Sequence, residues 1–298
     1  MCEYAALLPE RLGQDELLLE TVERIADAKG HSFEWHVSKD AEHSRDIAKR
    51  LASASGFDGL IAVGGDGTLN CVASGIIDSG NGANTALGIV PRGTGNDLAR
   101  VAGLDRDRLE EAVHTAFHGP SSAIDAASLG DGQYFVNALS LGIGAEATAA
   151  TPPALKDVLG TGAYSLMAFL LAAVRTPSRA RFEIDETVWE GEYLAAAIGN
   201  GAYAGGGYEI CPGAAWDDGL LDLTIFPKVD QENIAAMIEE LAGESTKDDG
   251  GIVLRRRAKR IAIESSVPLR FNADGEPCQA ERIEVRVLPG ALRVRHAA

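Results

Sequence analysis

Two glycine-rich loops contain the residue types and spacing best suited to binding phosphate. The first spans Val63–Asn70 and reads VGGDGTLN, and the second spans Pro91–Arg100 and reads PRGTGNDLAR. Glycines let backbone N–H groups approach an oxyanion closely, and a helix that starts after such a loop points its free N–H groups at the anion. Neither loop is a Walker motif or a dinucleotide GxGxxG motif. Two such loops on neighbouring strands would face one crevice large enough for a nucleotide polyphosphate.

Asp66 lies within the first loop, where an unshielded carboxylate would repel a phosphate. We therefore expect a Mg²⁺ ion to shield it. Thr68 adds a hydroxyl donor in the first loop. In the second loop, Thr94 can bond a phosphate or cap the helix that follows, and Asn96 or Asp97 can also cap it. The alternative for the first loop is a tight strand-to-helix turn that simply requires glycines.

Short apolar strands alternate with amphipathic helices around these loops. The predicted strands are Tyr4–Leu8, Ser32–Val37, Gly59–Val63 and Ala86–Val90, and the predicted helices are Gln14–Lys29, Ser44–Ala54, Leu69–Ile77 and a helix from Asn96. This alternation predicts a parallel sheet with right-handed crossovers. Ligands of such sheets bind at the carboxyl ends of the strands, where both glycine loops fall.

After about residue 122 the pattern changes to short strands separated by turn residues. The predicted strands are Ala123–Leu129, Gln133–Leu141, Ala180–Ile184, Tyr193–Ile198, Leu220–Phe226, Gly251–Arg257, Arg260–Glu264, Leu269–Asn272, Arg282–Leu288 and Ala291–Arg295. Only Leu155–Val174 and Gln231–Leu241 read as helices. We predict an α/β domain over residues 1–122 and an antiparallel, β-rich domain with a helical insertion over residues 123–298.

The composition is that of a globular but strongly acidic protein. Hydrophobic residues make up 46% of the 298 residues, and 44 Asp plus Glu stand against 27 Lys plus Arg, a formal net charge of -17. Non-specific nucleic-acid binding needs a basic face that releases counterions, so we expect no nucleic-acid partner. High acidity with only 7 Lys beside 20 Arg suggests a protein kept soluble in concentrated salt. An ordinary acidic mesophilic protein is the alternative.

One basic cluster, Arg255–Arg260, reads RRRAKR. It could attract anionic lipid head groups, although such a run is more often a solvated strand edge. The longest apolar stretch, Tyr164–Val174, has 11 residues and suits a buried helix rather than a membrane span. The N-terminus lacks the basic segment of a signal peptide, and the four scattered cysteines predict a reducing compartment. We therefore expect a cytoplasmic protein without a transmembrane segment.

The two loops together resemble the catalytic domain of the diacylglycerol kinase family, which includes bacterial lipid kinases and sphingosine kinases. Further segments that resemble the family are Asp125, Tyr134–Asn137, Leu141–Glu146, Asn200–Gly201, Gly205–Gly207, Cys211–Pro212, Asp217–Asp222 and Asn272–Glu276. The resemblance implies phosphorylation of a lipid hydroxyl with ATP as co-substrate and Mg²⁺ as cofactor. It also implies a Rossmann-like parallel α/β nucleotide domain followed by an antiparallel β-sandwich domain, with the active site in the cleft between them.

The resemblance implies a role for each matching residue. Glu276 of the Asp-Gly-Glu element would be the general base, although Ala273–Glu276 is also an ordinary hairpin turn sequence. Asp66 and Asp97 would organise the catalytic Mg²⁺, supported by Asn96. The residues expected to contact ATP are Gly64, Gly65, Gly67, Thr68, Asn70, Thr94 and Ser38. For Ser38, a helix-cap or loop serine is an equal alternative.

A second, structural Mg²⁺ is implied at Asp218, with the backbone carbonyls near Ala215 and Leu220, although an Asp-Gly turn explains the same residues. One segment departs from the family pattern. Leu8–Gly13 replaces the usual Asn-Pro-x-x-Gly stretch after the first strand, so its phosphate contacts are in doubt.

The favoured interpretation is thus a lipid kinase that visits the membrane surface transiently. A homodimer is compatible with it, but the sequence does not indicate oligomeric state. The nearest alternative enzyme is an NAD kinase, which shares the Gly-Gly-Asp-Gly-Thr loop. The alternative from another class is a non-catalytic nucleotide-sensing protein on the same scaffold. The lipid acceptor cannot be read from the sequence.

Overall fold

The computed structural model describes residues 3–28, 30–54, 56–142, 177–230, 233, 236–237, 240 and 251–298. The chain divides into two compact units. The first contains Met1–Ala126, Gly132–Val136 and Leu288–Ala298, and the second contains Ala127–Asp131 and Asn137–Val287. The predicted helix Leu155–Val174 lies outside the described residues, as does most of Gln231–Leu241.

The first unit is built on four parallel strands in the order β4-β3-β1-β2. The strands are β1 (Glu3–Pro9), β2 (Ser32–Ser38), β3 (Gly59–Gly64) and β4 (Ala86–Pro91). The helices are α1 (Glu16–Asp27), α2 (Ala41–Ser53), α3 (Asp66–Asp78), α4 (Asp97–Val101) and α5 (Leu109–His118). Every residue of β3 and β4 is buried, as parallel strands covered on both faces must be. The predicted parallel pairing is therefore present, while the likeness to a Rossmann fold stays a prediction.

Helices α1 and α2 each start at an Asp side chain that caps the helix. Asp15 accepts a hydrogen bond from the N–H of Leu18 at the start of α1, and Asp40 accepts one from His43 at the start of α2. These side chains satisfy N–H groups that have no partner within the helix. By contrast, α3 begins directly after Gly65 with no side-chain cap. Its first-turn N–H groups therefore have no cap from their own N-cap residue.

The end of the chain returns to the first unit, which the sequence did not predict. Strand β5 (Ser121–Gly130) pairs with β6 (Gln133–Phe135) and with β15 (Glu276–Arg295). Near its end, β15 places Arg293 and Val294 in parallel register with Ala86 and Leu87 of β4. The C-terminal residues thereby add a strand to the edge of the parallel sheet.

The second unit is antiparallel throughout its described strand pairs. Its remaining strands are β7 (Ala138–Leu141), β8 (Ser178–Ile184), β9 (Thr187–Gly199), β10 (Tyr203–Ala204), β11 (Tyr208–Glu209), β12 (Leu221–Pro227), β13 (Leu254–Ala258) and β14 (Arg260–Ala273). The main order is β13-β12-β9-β7-β14-β15, and β8 pairs with both β9 and β14. Strands β10 and β11 form a separate hairpin.

Several predicted strand boundaries differ from the structure, among them Tyr193–Ile198, which belongs to the longer β9, and in three places the strands are divided differently. The predicted strand Gln133–Leu141 is two strands, because the backbone of Asn137 bonds to Asp274, Asn200 and Gly201 instead of continuing one ladder. Two predicted pairs of strands are each one continuous strand, β14 and β15. In β14 a register shift between Glu264 and Leu269 accommodates Pro268, so the strand continues past it.

No helix within the described ranges is both long enough and apolar enough to cross a membrane.

Candidate active site

The two predicted phosphate loops lie against each other in the first unit. Each follows a buried strand, β3 or β4, at its carboxyl end, and the N–H of Arg92 donates to the carbonyl oxygen of Gly64 at 2.7 Å. A Cβ atom added to Gly65 would lie 2.9 Å from the Cα of Gly93. The backbones therefore touch at a point where only glycine fits. The prediction that the loops share one edge of the sheet is confirmed.

The second loop is closed on itself by Asn96. Its side chain accepts from the N–H of Gly93 and donates to the carbonyl of the same residue, both at 2.9 Å. Asn96 is buried and has a positive φ of 52°, a conformation that asparagine tolerates better than most residues. Asn96 is thus the N-cap of α4 by position, but its side chain shapes the loop instead of capping the helix.

Asp66 performs the capping that the sequence had assigned to Thr94, Asn96 or Asp97. Its Oδ1 accepts from the backbone N–H of Asp97 at 2.8 Å, across 31 residues. One carboxylate thereby ties the starts of α3 and α4 together. Asp97 is buried, whereas Thr94 is exposed at the tip of its loop.

Asp66 and Asp97 stand at the starts of α3 and α4, and their role in holding a Mg²⁺ stays a prediction. Mg²⁺ in nucleotide sites is held by one or two carboxylates together with phosphate oxygens and water, not by an all-protein cage. No group of three or more His, Cys, Asp or Glu suited to a metal occurs among the described residues.

The other residues predicted to contact ATP lie in α3 and at the end of β2. Thr68 lies one turn into α3, and its side chain fills the space beside Gly64, where a Cβ would meet Thr68 Oγ1 at 2.5 Å. Asn70 donates its amide to the carbonyl of Tyr134 at 3.0 Å and so anchors β6 to α3. Ser38 is buried at the end of β2, where its hydroxyl donates to the carbonyl of Leu8 at 3.3 Å.

An ion pair that the sequence did not predict lies beside these loops. Arg92, which follows β4, donates to the carboxylate of Asp15 at 2.6 Å, and both side chains are about a quarter exposed. Asp15 also caps α1, which follows the atypical segment Leu8–Gly13. No sequence signal indicated this pair, because the partners are 77 residues apart.

Glu276, the predicted general base, lies in the second unit. It is exposed and begins β15, directly after a turn in which Asp274 and Gly275 have φ values of 47° and 93°. Cys278 is near enough to be affected by this carboxylate: burial first, and then the charge of Glu276, raise the pKa of the Cys278 thiol. The alternative prediction, an Asp-Gly hairpin turn, is present, and the role of Glu276 as the general base stays a prediction.

The turn before Glu276 is held by a buried carboxylate. Asp274 Oδ1 accepts from the backbone N–H groups of Asn137 and Ala138 at 3.0 and 2.9 Å. The Asn137 amide in turn donates to the carbonyl of Tyr203, at the start of the hairpin that contains the glycine run. Three segments that resembled the family separately therefore converge at one place in the second unit.

The predicted structural metal site at Asp218 is used differently in this structure. One oxygen of the carboxylate accepts from the N–H of Leu220 at 3.0 Å, and the other is paired with the guanidinium of Arg257. A cation bound there with the carbonyls of Ala215 and Leu220 would compete with that guanidinium. The arrangement is that of an Asp-Gly turn, with Gly219 at a φ of 75°, and it does not fit a metal without rearrangement.

The basic cluster Arg255–Arg260 is largely neutralised within the second unit. Its paired arginines are Arg255 with Glu240 at 3.4 Å, Arg257 with Asp218, and Arg260 with Glu284 at 3.1 Å. These pairs favour the strand-edge interpretation over a membrane-binding patch.

The chain matches two family models in tandem. Residues 12–129 match the diacylglycerol kinase catalytic domain. Residues 137–296 match the YegS C-terminal NAD kinase beta sandwich-like domain. The two matches together cover both glycine loops and the Asp-Gly-Glu element.

Curated relatives and solved structures agree with these matches. Proteins named probable lipid kinase YegS, from Salmonella schwarzengrund and Salmonella typhimurium, are 36% identical over 256 residues, which is 86% of this chain and 82% of theirs. A putative diacylglycerol kinase from Bacillus anthracis str. Sterne shares the fold with a TM-score of 0.79, at 23% identity, over 99% of this chain and 95% of that one. A second structure from the same organism gives a TM-score of 0.75 at 21% identity, over 99% and 96% of the two chains. The chain therefore belongs to the diacylglycerol kinase family of lipid kinases.

Proposed function

We propose that this protein transfers the γ-phosphate of ATP to the hydroxyl group of a glycerolipid, diacylglycerol or a related lipid, in a reaction that requires Mg²⁺. The observation that carries the proposal is the pair of glycine loops in backbone contact, joined by Asp66. Phosphoryl transfer depends chiefly on positioning and on charge stabilisation, and this arrangement supplies both for a polyphosphate.

The residues of the first unit would bind and orient ATP. Backbone N–H groups at the start of α3, with the hydroxyl of Thr68, would hold the phosphates. Arg92 would contribute a positive charge at the carboxyl edge of the sheet while Asp15 fixes its direction. Asp66 and Asp97 would hold a Mg²⁺, which would supply positive charge to the transferred phosphate.

Glu276 would act on the acceptor. Its carboxylate would accept the proton of the lipid hydroxyl as that oxygen forms its bond to the γ-phosphorus and ADP leaves. The exposure of Glu276 is compatible with this role, since a general base must reach a substrate atom. Glu276 would return the proton to water after the phosphorylated lipid departs.

The acceptor class rests on the family and not on a lipid pocket. Leu166, Phe169 and Leu170, apolar residues of the sequence that could line such a pocket, lie outside the described residues. The test is a transfer assay with labelled ATP that offers diacylglycerol, a dialkylglycerol and NAD in parallel. Label in a lipid product supports the proposal, and label in NADP alone would replace it with an NAD kinase.

The NAD kinase alternative is weaker, because residues 12–129, which contain the shared Gly-Gly-Asp-Gly-Thr loop, match the diacylglycerol kinase catalytic domain, and the family match that names NAD kinase concerns the β-sandwich of residues 137–296. A non-catalytic nucleotide sensor would bind ATP without turnover across the lipid panel. The intact Glu276, together with the Asp66 carboxylate bonded to the backbone of Asp97, favours an enzyme over such a sensor.

Adaptation to concentrated salt remains part of the proposal, on the net charge of -17. A higher melting temperature in molar KCl than in dilute buffer would support it, and equal stability in both would refute it. With the Arg255–Arg260 cluster paired internally, apolar contact is the proposed route to the lipid surface.

A further inference from the structure

We propose that Asp274 is a positioning residue for catalysis, which fixes the backbone from which Glu276 projects. This inference rests on the proposed function, because it concerns the direction of the general base. The resemblance to the family's Asp-Gly-Glu element assigns a role to Glu276, and this inference adds one for Asp274.

The turn before Glu276 is unusually constrained for a hairpin. Ala273 and Glu276 are paired in register, so Asp274 and Gly275 form a two-residue turn with positive φ at both positions. The Asn272 side chain also accepts from the N–H of Gly275 at 2.7 Å. Turns with this geometry match the twist of the flanking strands, so they set the start of β15, and with it Glu276, accurately.

Asp274, at the tip of this turn, is hydrogen-bonded to the backbone of residues 137 and 138. Hairpin tips are ordinarily exposed, yet Asp274 is only 7% exposed. It makes three hydrogen bonds to residues 137 and 138. Its carboxylate accepts from both N–H groups, and its own N–H donates to the carbonyl of Ala138 at 3.0 Å. Bonds from N–H groups to an ionised carboxylate are about twice as strong as neutral ones.

Asn137, which donates to the Asp274 carboxylate, is in turn hydrogen-bonded to a third segment of the second unit. The carbonyl of Asn137 accepts from the N–H groups of Asn200 and Gly201 at 2.8 and 2.9 Å, and its side chain donates to the carbonyl of Tyr203 at 2.6 Å. Asn137 is 5% exposed. Asp274 therefore connects the Glu276 turn to a buried point that three segments of the second unit share.

A matched control occurs in the same unit. Asp185 also has a φ of 47°, in the turn between β8 and β9, and its carboxylate accepts from the N–H groups of Lys259 and Arg260. It shares the positive φ and the carboxylate-to-backbone bonds of Asp274, but it is exposed, and the next residue, Glu186, does not have a positive φ. Loss of Asp185 should lower stability without changing catalysis.

The experiment compares Asp274→Gly with Asp185→Gly in full-length protein, measuring melting temperature, kcat and the KM for ATP. Glycine tolerates positive φ, so each variant removes only the carboxylate. We expect both to lower the melting temperature. Only Asp274→Gly should lower kcat, by about 10- to 100-fold with the KM for ATP unchanged, because misplacement by about 1 Å can cost a factor of this size. Asp274→Asn, which keeps an acceptor oxygen and tolerates the same φ, should recover most of the rate.

Two further measurements separate this inference from the proposed function. In a Glu276→Gln background, the removal of Asp274 should have no further effect on kcat, because it acts through the missing base. If Glu276→Gln is inactive but Asp274→Gly has the native kcat, only the positioning role is refuted. If Glu276→Gln retains the native rate, the general-base assignment itself fails. Should Asp274→Gly not fold, Asp274→Ser at reduced temperature takes its place, and a native kcat in that variant overturns the inference.

Discussion

The contact between the glycine loops predicts a large functional effect from one methyl group. Gly65 has φ and ψ of -98° and -172°, which any residue can adopt, so alanine would not strain the backbone there. Its Cβ would nevertheless lie 2.9 Å from the Cα of Gly93. Carbon atoms in contact are normally about 3.5–4.0 Å apart, so the loops must separate by roughly 0.6–1.1 Å.

That separation has consequences for stability and for activity. Overpacking of this kind costs about 1–3 kcal/mol, or a fall in melting temperature of a few degrees to about ten. The same displacement of the phosphate-binding backbone should lower kcat/KM for ATP by about 10- to 100-fold. In free energy the two losses should be similar, because a 10- to 100-fold fall in kcat/KM corresponds to about 1.4–2.7 kcal/mol.

The assay is a steady-state titration of ATP with Gly65→Ala, alongside a thermal melt. Gly56→Ala is the matched control, because a Cβ there has nothing closer than 4.0 Å. The control should behave as the native protein does. Native kcat/KM for ATP in a folded Gly65→Ala variant would refute the reasoning that these loops bind the nucleotide.

Three further predictions concern single side chains. Asn96→Gly keeps the positive φ but loses both bonds to Gly93, so ATP affinity should fall with little loss of stability, and equal affinity by calorimetry would contradict this. Hydrogen bonds from Arg260 and Arg286 lower the pKa of the Glu284 carboxyl. Its stabilising effect is therefore present above the ordinary pKa and lost as pH falls through the lowered one, so melts of Glu284→Gln and native protein should differ at neutral pH and converge in acid. Burial raises the pKa of the Cys211 thiol to about 12, so it should resist alkylation at mildly alkaline pH until the protein unfolds, and rapid labelling in the native state would contradict its burial.

Local patterns predicted the first unit well, because its elements are specified by continuous apolar runs. Strands β3 and β4 are buried at every position, and their predicted bounds agree with the structure to within a residue at each end. Helix α5 was not predicted, although Ala112, Val113, Ala116 and Phe117 give it a clear apolar face. The return of β15 to β4 could not be read locally, since its partners are about two hundred residues apart.

The site was predictable in its residue types but not in its connections. The sequence identified Asp66, Asn96 and Asp97, yet assigned the cap of α4 to residues beside it. The structure shows that Asp66 supplies this cap from the other loop. Likewise, the sequence predicts an Asp-Gly turn before Glu276. The sequence does not predict that Asp274 is buried against Asn137, because that contact joins residues 137 positions apart.

The central claim is that Glu276 is the general base of a lipid kinase, and Glu276→Gln tests it most directly. Glutamine keeps the size of the side chain but cannot accept the proton of the acceptor hydroxyl. We predict a native melting temperature, native ATP affinity and a loss of phosphate transfer to lipid of about 10²–10⁴-fold, the usual contribution of a general base. Transfer to diacylglycerol at the native rate by this variant would contradict the account.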